Sequence, residues 1–148
     1  MHGTLDTLQA SSDYIVLAAD SLIQNAAQTC KIAVLGDQIV FASSGISART
    51  LTPTWDTYEI ARRQYADLKE NSQDDLIRKL AEGYGERLAE HLNRDLERSG
   101  SGELLSYIGQ RNGEVGRAIL AGFSGRRHQR TIAEVTVGMR VIWCPQGL

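Results

Sequence analysis

The sequence predicts an α+β fold in which an antiparallel sheet packs on a pair of helices. Strand-like segments come first, helical periodicity fills the middle of the chain, and strand patterns return after it. Strands and helices that are grouped in this way, rather than alternating, are typical of α+β domains. A chain of 148 residues is long enough to build a core of its own. We therefore expect residues 1–148 to form one domain.

The first third of the sequence predicts two β-hairpins. Turn residues stand at 11–13, between two strand-like segments, and Gly36-Asp37 forms a two-residue loop between two more. The four predicted strands are rich in branched apolar residues and span residues 5–10, 14–19, 30–35 and 38–44.

The middle of the sequence predicts two helices, over residues 55–69 and 73–98, because apolar residues recur there at steps of three and four. Ser72 opens an S-x-x-D capping pattern at the second helix. Two glycines, Gly83 and Gly85, interrupt that helix, and either a close approach to a neighbouring element or a kink explains them.

Strand patterns return in the last third, over residues 117–123, 131–137 and 139–143. A basic loop over residues 125–130 separates the first two of these strands. We interpret the loop as a solvated hairpin tip, with an anionic ligand as the less favoured alternative.

Composition and charge limit the partners and cofactors that the protein is expected to have. A formal net charge of −2 gives no reason to expect nucleic acid as a partner, and no apolar run is long enough to span a membrane. Cys30 and Cys144 are interpreted as buried thiols, with a disulfide or a metal role as alternatives. The three histidines lack ligand spacing, so we expect no metal and no cofactor. Residues 1–3 are not a signal peptide, which predicts a cytoplasmic protein, or a secreted or periplasmic one if a signal has been trimmed.

Four short segments resemble the N-terminal half of a proteasome β-type subunit, a member of the N-terminal nucleophile (Ntn) hydrolases. They are Gly3-Thr4, the apolar strand that ends in Asp20-Ser21, Lys31-Ile32, and the strand 41–45 that ends in Gly45. Thr4 precedes Asp20 by 16 residues and Lys31 precedes Gly45 by 14, which fits the family. The loop from Asp20 to Lys31 is shorter than in the family. The resemblance covers residues 3 to about 100.

The resemblance implies a catalytic site of four residues, Thr4, Asp20, Lys31 and Gly45. Cleavage of the Gly3–Thr4 bond exposes a threonine whose hydroxyl is the nucleophile and whose amino group, with a pKa of roughly 7.7–8.0, is the base. Lys31 favours the deprotonated hydroxyl, and Asp20 holds Lys31 charged and oriented. The backbone N–H of Gly45 stabilises the tetrahedral oxyanion. The implied substrate is a peptide or another small amide.

The chain also departs from the family pattern, because no segment corresponds to its second pair of helices. One apolar face of the sheet is then left without a helical layer, so we expect a homo-oligomer in which a neighbouring subunit covers it. A catalytically silent assembly or binding module with the same fold is the main alternative, and an unrelated α+β ligand-binding domain is another. Taken singly, the four site residues also have ordinary structural explanations as strand, turn or solvated residues.

Overall fold

The computed structural model describes residues 6–19, 32–46, 48–49, 55–69, 75–98, 102–124 and 128–139. In this part of the chain, a four-stranded antiparallel sheet has helices on one face and a β-hairpin on the other. The predicted α+β class with an antiparallel sheet is thus confirmed. The elements are β1 (Asp6–Ala10), β2 (Ile15–Ala19), β3 (Ile32–Leu35), β4 (Ile39–Gly45), β5 (Ala48–Arg49), β6 (Trp55–Asp56), α1 (Thr57–Leu68), α2 (Leu76–Leu96), α3 (Gly102–Gln110), β7 (Glu114–Ser124) and β8 (Gln129–Gly138).

The four-stranded sheet has the order β3-β4-β7-β8, and alternate side chains of its strands form the core with α1 and α2. Phe41 of β4 and Leu120 of β7 are almost fully buried, as are Tyr84 and Leu88 of α2. The rings of Phe41 and Tyr84 meet edge to face, with centroids 5.2 Å apart. Edge-to-face contact stabilises an aromatic pair beyond the burial of its area. The predicted sheet on a helix pair is therefore present.

The two predicted helices both form, with slightly different ends. The Asp56 carboxylate accepts a hydrogen bond of 2.7 Å from the backbone N–H of Glu59 and so caps α1. Asp75 precedes α2 in a left-handed conformation, and its side chain makes no capping hydrogen bond. It forms an exposed ion pair of 3.2 Å with Arg78 instead. Ser72, the other half of the predicted capping pattern, lies outside the described residues.

Of the two explanations for Gly83 and Gly85, a close approach or a kink, the structure supports close approach at both positions. A Cβ atom on Gly85 would lie 3.0 Å from a methyl carbon of Val135 on β8. A Cβ atom on Gly83 would collide with the side chain of Gln64 on α1. These two positions let α2 pack closely on the sheet and on α1.

Both predicted hairpins are confirmed, but the first is not part of the main sheet. β1 pairs with β2 in a separate two-stranded sheet, and β2 contacts β3 and β4. A single sheet of all the predicted strands would include the strand 14–19. It forms a second layer instead, in which half-buried Ile15 shares a cleft with Val34 and Val40. The hairpin covers only part of the outer face, on which Val34 is 59% and Ile132 46% exposed.

The third helix is the largest element that the sequence interpretation missed. α3 follows the polar joint at 99–102 and contacts α2 and β7. Leu104, Tyr107 and Ile108 pack against the core at helical spacing. This short pattern is the signal from which the helix could have been predicted. The last predicted strand, 139–143, lies outside the described residues after Met139, as do both cysteines.

The close approach of α2 to β8 predicts opposite effects for one substitution at two glycines. Gly85→Leu should lower the free energy of unfolding by about 1–3 kcal/mol, because the side chain is forced against Val135. Gly109→Leu, on α3 with no atom in the way, should leave stability unchanged or raise it by up to about 1 kcal/mol. Urea unfolding of both variants measures the difference. Equal effects at the two sites would contradict the packing described.

Candidate functional site

One of the four predicted site residues, Gly45, is among the described residues, and Thr4, Asp20 and Lys31 lie outside them. The strands next to these three are described. β1 begins two residues after Thr4, β2 ends immediately before Asp20, and β3 begins immediately after Lys31. The placement of these strand ends is therefore what the structure contributes to the site.

The strand ends fall into two pairs. Asp6 pairs with Ala19, so the residues that adjoin Thr4 and Asp20 lie together at the open end of the β1–β2 hairpin. β3 runs antiparallel to β4, with Ile32 opposite Ala42. The start of β3, which adjoins Lys31, and the end of β4 at Gly45 therefore lie at the same end of the main sheet.

The turn of the β1–β2 hairpin is fixed at the opposite end of the main sheet. Arg130 of β8 donates a hydrogen bond of 2.6 Å from Nη1 to the backbone oxygen of Ser11. Asp13 lines a cleft of about 560 Å³ together with Asp37, in the β3–β4 turn, and His128, in the β7–β8 turn. Beyond this turn, β2 also contacts β3 and β4.

One expectation about these strands is wrong. The family sheet requires the strand after Thr4 at its centre, beside the strand after Lys31, and this requirement separates the family from an unrelated α+β domain. In the structure, β1 belongs to the two-stranded sheet and β3 to the four-stranded sheet. The apolar side chains of the first hairpin pack on the outer face of the main sheet as a second layer. The hairpin can therefore bury them without being inserted between the strands of that sheet.

Gly45 ends β4 in a conformation that favours glycine, with φ at +88°. A Cβ atom there would lie 2.5 Å from the carbonyl oxygen of Val115, on the neighbouring strand β7. The same carbonyl accepts a hydrogen bond of 2.9 Å from the N–H of Ile46. The close contact with β7 therefore requires glycine here on packing grounds alone, whether or not its N–H faces a substrate.

The outer face of the sheet, which is the face opposite α1 and α2, becomes polar toward this end. Ser44 lies opposite Arg117, and Arg117 lies opposite Thr136. The Arg117 guanidinium forms ion pairs of 3.3 Å with Glu114 and with Glu134. The sequence interpretation did not single out these residues, because they come from strands that are distant in the chain and no local motif joins them.

A buried group of hydroxyls lies under the end of β4. The hydroxyls of Ser43 and Thr57 are 2.7 Å apart, and Thr57 also hydrogen-bonds the hydroxyl of Tyr84. All three side chains are buried. Burial raises the pKa of Tyr84 well above its usual range, and the hydrogen bond with Thr57 partly opposes that effect. The three hydroxyls join β4, α1 and α2, and they satisfy one another in the core.

A second polar contact joins the start of α1 to the last turns of α2. The indole N–H of Trp55 donates a hydrogen bond of 3.0 Å to Asp95, and the ring of Trp55 lies 5.7 Å from that of His91. Burial lowers the pKa of half-buried His91, and the positive charge of Arg94 lowers it further. This contact fixes β6 against α2.

Comparison of the chain with protein-family models, with curated proteins and with solved structures found no match. The described residues contain no cluster of histidine, cysteine and carboxylate side chains that could hold a metal ion. Among the described helices, none has the length and apolar character needed to cross a membrane.

The buried hydroxyls predict that Thr57→Val is more harmful than Thr57→Ser. Valine leaves the hydroxyls of Ser43 and Tyr84 without their shared partner, which should cost about 1–3 kcal/mol of unfolding free energy. Serine keeps the hydroxyl and loses one methyl group, a loss of about 1 kcal/mol or less. Denaturant unfolding with an unchanged m-value gives the comparison. The network would have no stabilising role if valine were tolerated as well as serine.

The lowered pKa of His91 predicts that acid weakens the fold. Between the folded pKa and the ordinary value of 6.5, the unfolded chain binds more protons at this residue than the folded chain does. The unfolding free energy should therefore fall as pH is lowered from 7.5 through 6.5, and the fall should end below the folded pKa. His91→Gln should flatten this part of the profile. Identical pH profiles for the two proteins would exclude the effect.

Proposed function

We propose that this chain is a threonine-type Ntn hydrolase of the proteasome β type that cleaves peptide or other amide bonds after removal of residues 1–3. The observation that carries the proposal is the arrangement of strand ends. The start of β1 and the end of β2 lie together at the open end of their hairpin, and the start of β3 lies with Gly45 at one end of the main sheet. These strand ends adjoin Thr4, Asp20 and Lys31 in the chain, although the three belong to segments far apart in sequence.

The chemistry assigned to each residue follows from its type. A threonine hydroxyl needs an adjacent base, and the amino group of a new N-terminus at Thr4 supplies one without a further side chain. The ammonium of Lys31 favours the alkoxide of Thr4, and the carboxylate of Asp20 keeps Lys31 charged. The N–H of Gly45 donates to the oxyanion. No cofactor or metal is needed for this reaction.

A catalytically silent assembly or binding module is the second candidate, and one observation favours it. The close contact between Gly45 and Val115 accounts for the glycine without any reaction. The same fold would then persist without processing. In either case we propose a cytoplasmic homo-oligomer without nucleic-acid or membrane partners. Tyr14 and Val16, which are about half exposed on the β1–β2 hairpin, support association with another subunit.

The proposed nucleophile predicts selective covalent labelling. An epoxyketone or a peptide boronate should modify only those chains that begin at Thr4, because both reagents require the free amino group or the hydroxyl of the terminal threonine. Thr4→Ala should abolish labelling, and Thr4→Ser should retain part of it. The matched control is Thr136→Ala, an exposed position on β8 that should label like the wild type. Mass spectrometry locates the adduct, and labelling that survives Thr4→Ala would refute the assignment.

The proposed role of Lys31 predicts a loss of hydrolysis without a loss of fold. Lys31→Ala should abolish turnover of a fluorogenic peptide and leave the circular dichroism spectrum and unfolding midpoint nearly unchanged. Lys31→Arg should also fail, because a planar guanidinium does not replace a compact ammonium. Lys69→Ala, at the exposed end of α1, is the control and should be fully active. An active Lys31→Ala protein would assign Lys31 to the solvated surface.

A further inference from the structure

β8 is an edge of the main sheet in the described part of the chain. It is 10 residues long and pairs with β7 along one side. Described residues supply no strand for its other side. A long edge of this kind presents a row of backbone donors and acceptors that a second strand can pair with. The opposite edge, β3, has only 4 residues.

The outward side chains of β8 are self-complementary. Arg130, Ile132 and Glu134 are all exposed on the outer face, with the apolar residue between two opposite charges. Within the chain, Arg130 contacts the backbone oxygen of Ser11 and Glu134 pairs with Arg117, so a second copy would share these charges. In an antiparallel pair of two identical strands centred on Ile132, each Arg130 lies opposite Glu134 of the other copy. Directly opposed charges of opposite sign stabilise a strand pair. A pair centred on Arg130 or on Glu134 would instead place like charges opposite each other.

The same register continues an apolar row of the sheet. On the outer face, Val34, Val40, Ala121 and Ile132 lie opposite one another in turn across the four strands. Ile132 ends this row and is 46% exposed, although Ala121 beside it is fully buried. Placing Ile132 against its own copy would cover the exposed end of the row and join it to an identical row.

We propose that two copies of this chain form a symmetric dimer by antiparallel pairing of β8 with β8, centred on Ile132. The two four-stranded sheets become one eight-stranded sheet with the α1–α2 layers on the same side. The partner is a second copy because the complementarity is between positions of one strand, with each Arg130–Glu134 contact made twice by the two-fold symmetry. The inference does not depend on the proposed hydrolase activity.

A disulfide test measures the register directly. In a chain with Cys30→Ser and Cys144→Ser, a cysteine introduced by Ile132→Cys lies opposite its own copy, at a separation that a disulfide can span. Mild oxidation should then give a covalent dimer in high yield. Thr136→Cys is the control on the same face of the strand. Its two copies would be eight positions apart, roughly 27 Å, and should not cross-link.

A charge swap tests the pairing without cysteine. Glu134→Arg places arginine opposite arginine twice and should weaken dimerisation at least about tenfold in sedimentation equilibrium. The double variant Arg130→Glu/Glu134→Arg restores opposite charges at both contacts between the copies and should recover part of the lost affinity, since Arg117 then lies beside an arginine. Because the double variant also removes the contact of Arg130 with Ser11, recovery cannot come from that contact.

Three results would overturn the proposal. They are a wild-type protein that sediments as a 16.3 kDa monomer at high concentration, cross-linking at position 136 rather than 132, and an oligomer that neither charge variant affects. The last result would place the association on another surface, such as the helices or the outer face of the β1–β2 hairpin.

Discussion

The structure depends most on the pairing of β4 with a strand on each side. β4 pairs with β3 and with β7, and it carries core side chains along one face. Phe41 contacts Tyr84, and Ser43 is within hydrogen-bond distance of Thr57, so both helices are fixed to this one strand. Gly45 ends the strand where the backbone of β7 leaves no room for a side chain. A shift of β4 by one residue would exchange its buried and outer side chains and disrupt all of these contacts.

The outer face of the sheet differs between its two ends, because the turn of the β1–β2 hairpin lies over one of them. Arg130 holds the turn of the hairpin over the sheet, and Val34 and Val40 line the cleft between them. At the other end, the outer face carries Arg117 and Glu134 as an ion pair. The start of β3 and Gly45 lie at that end too, and residues at strand ends are supported by a rigid sheet without having to fill the core.

Local patterns in the sequence predicted the elements better than their arrangement. The helices α1 and α2 and the two hairpins follow from periodicity and turn residues, which are properties of neighbouring residues. The second β layer was missed because alternation on β2 shows that one face is buried, but not what buries it. α3 was missed because its apolar pattern is short, with Leu104, Tyr107 and Ile108 as its inward residues.

The site shows the same division between local and long-range information. The resemblance assigns the N–H of Gly45 to the oxyanion, and the structure adds a packing reason for this glycine from β7, a strand about 70 residues further along the chain. The hydroxyls of Ser43, Thr57 and Tyr84 come from three elements, so no spacing in the sequence joins them. Thr4, Asp20 and Lys31 are candidates because their segments, in this order and at these spacings, resemble those of the Ntn hydrolases.

The intact mass of the purified protein tests the central claim most directly. If the proposed function holds, the chain must release its nucleophile by cleaving the Gly3–Thr4 bond, so the wild-type protein should have the mass of residues 4–148. A chain with Thr4→Ala should keep residues 1–3, because the hydroxyl that attacks the bond is missing. If both proteins kept residues 1–3, or if both lost them, Thr4 would not be a self-processed nucleophile and the account would be wrong.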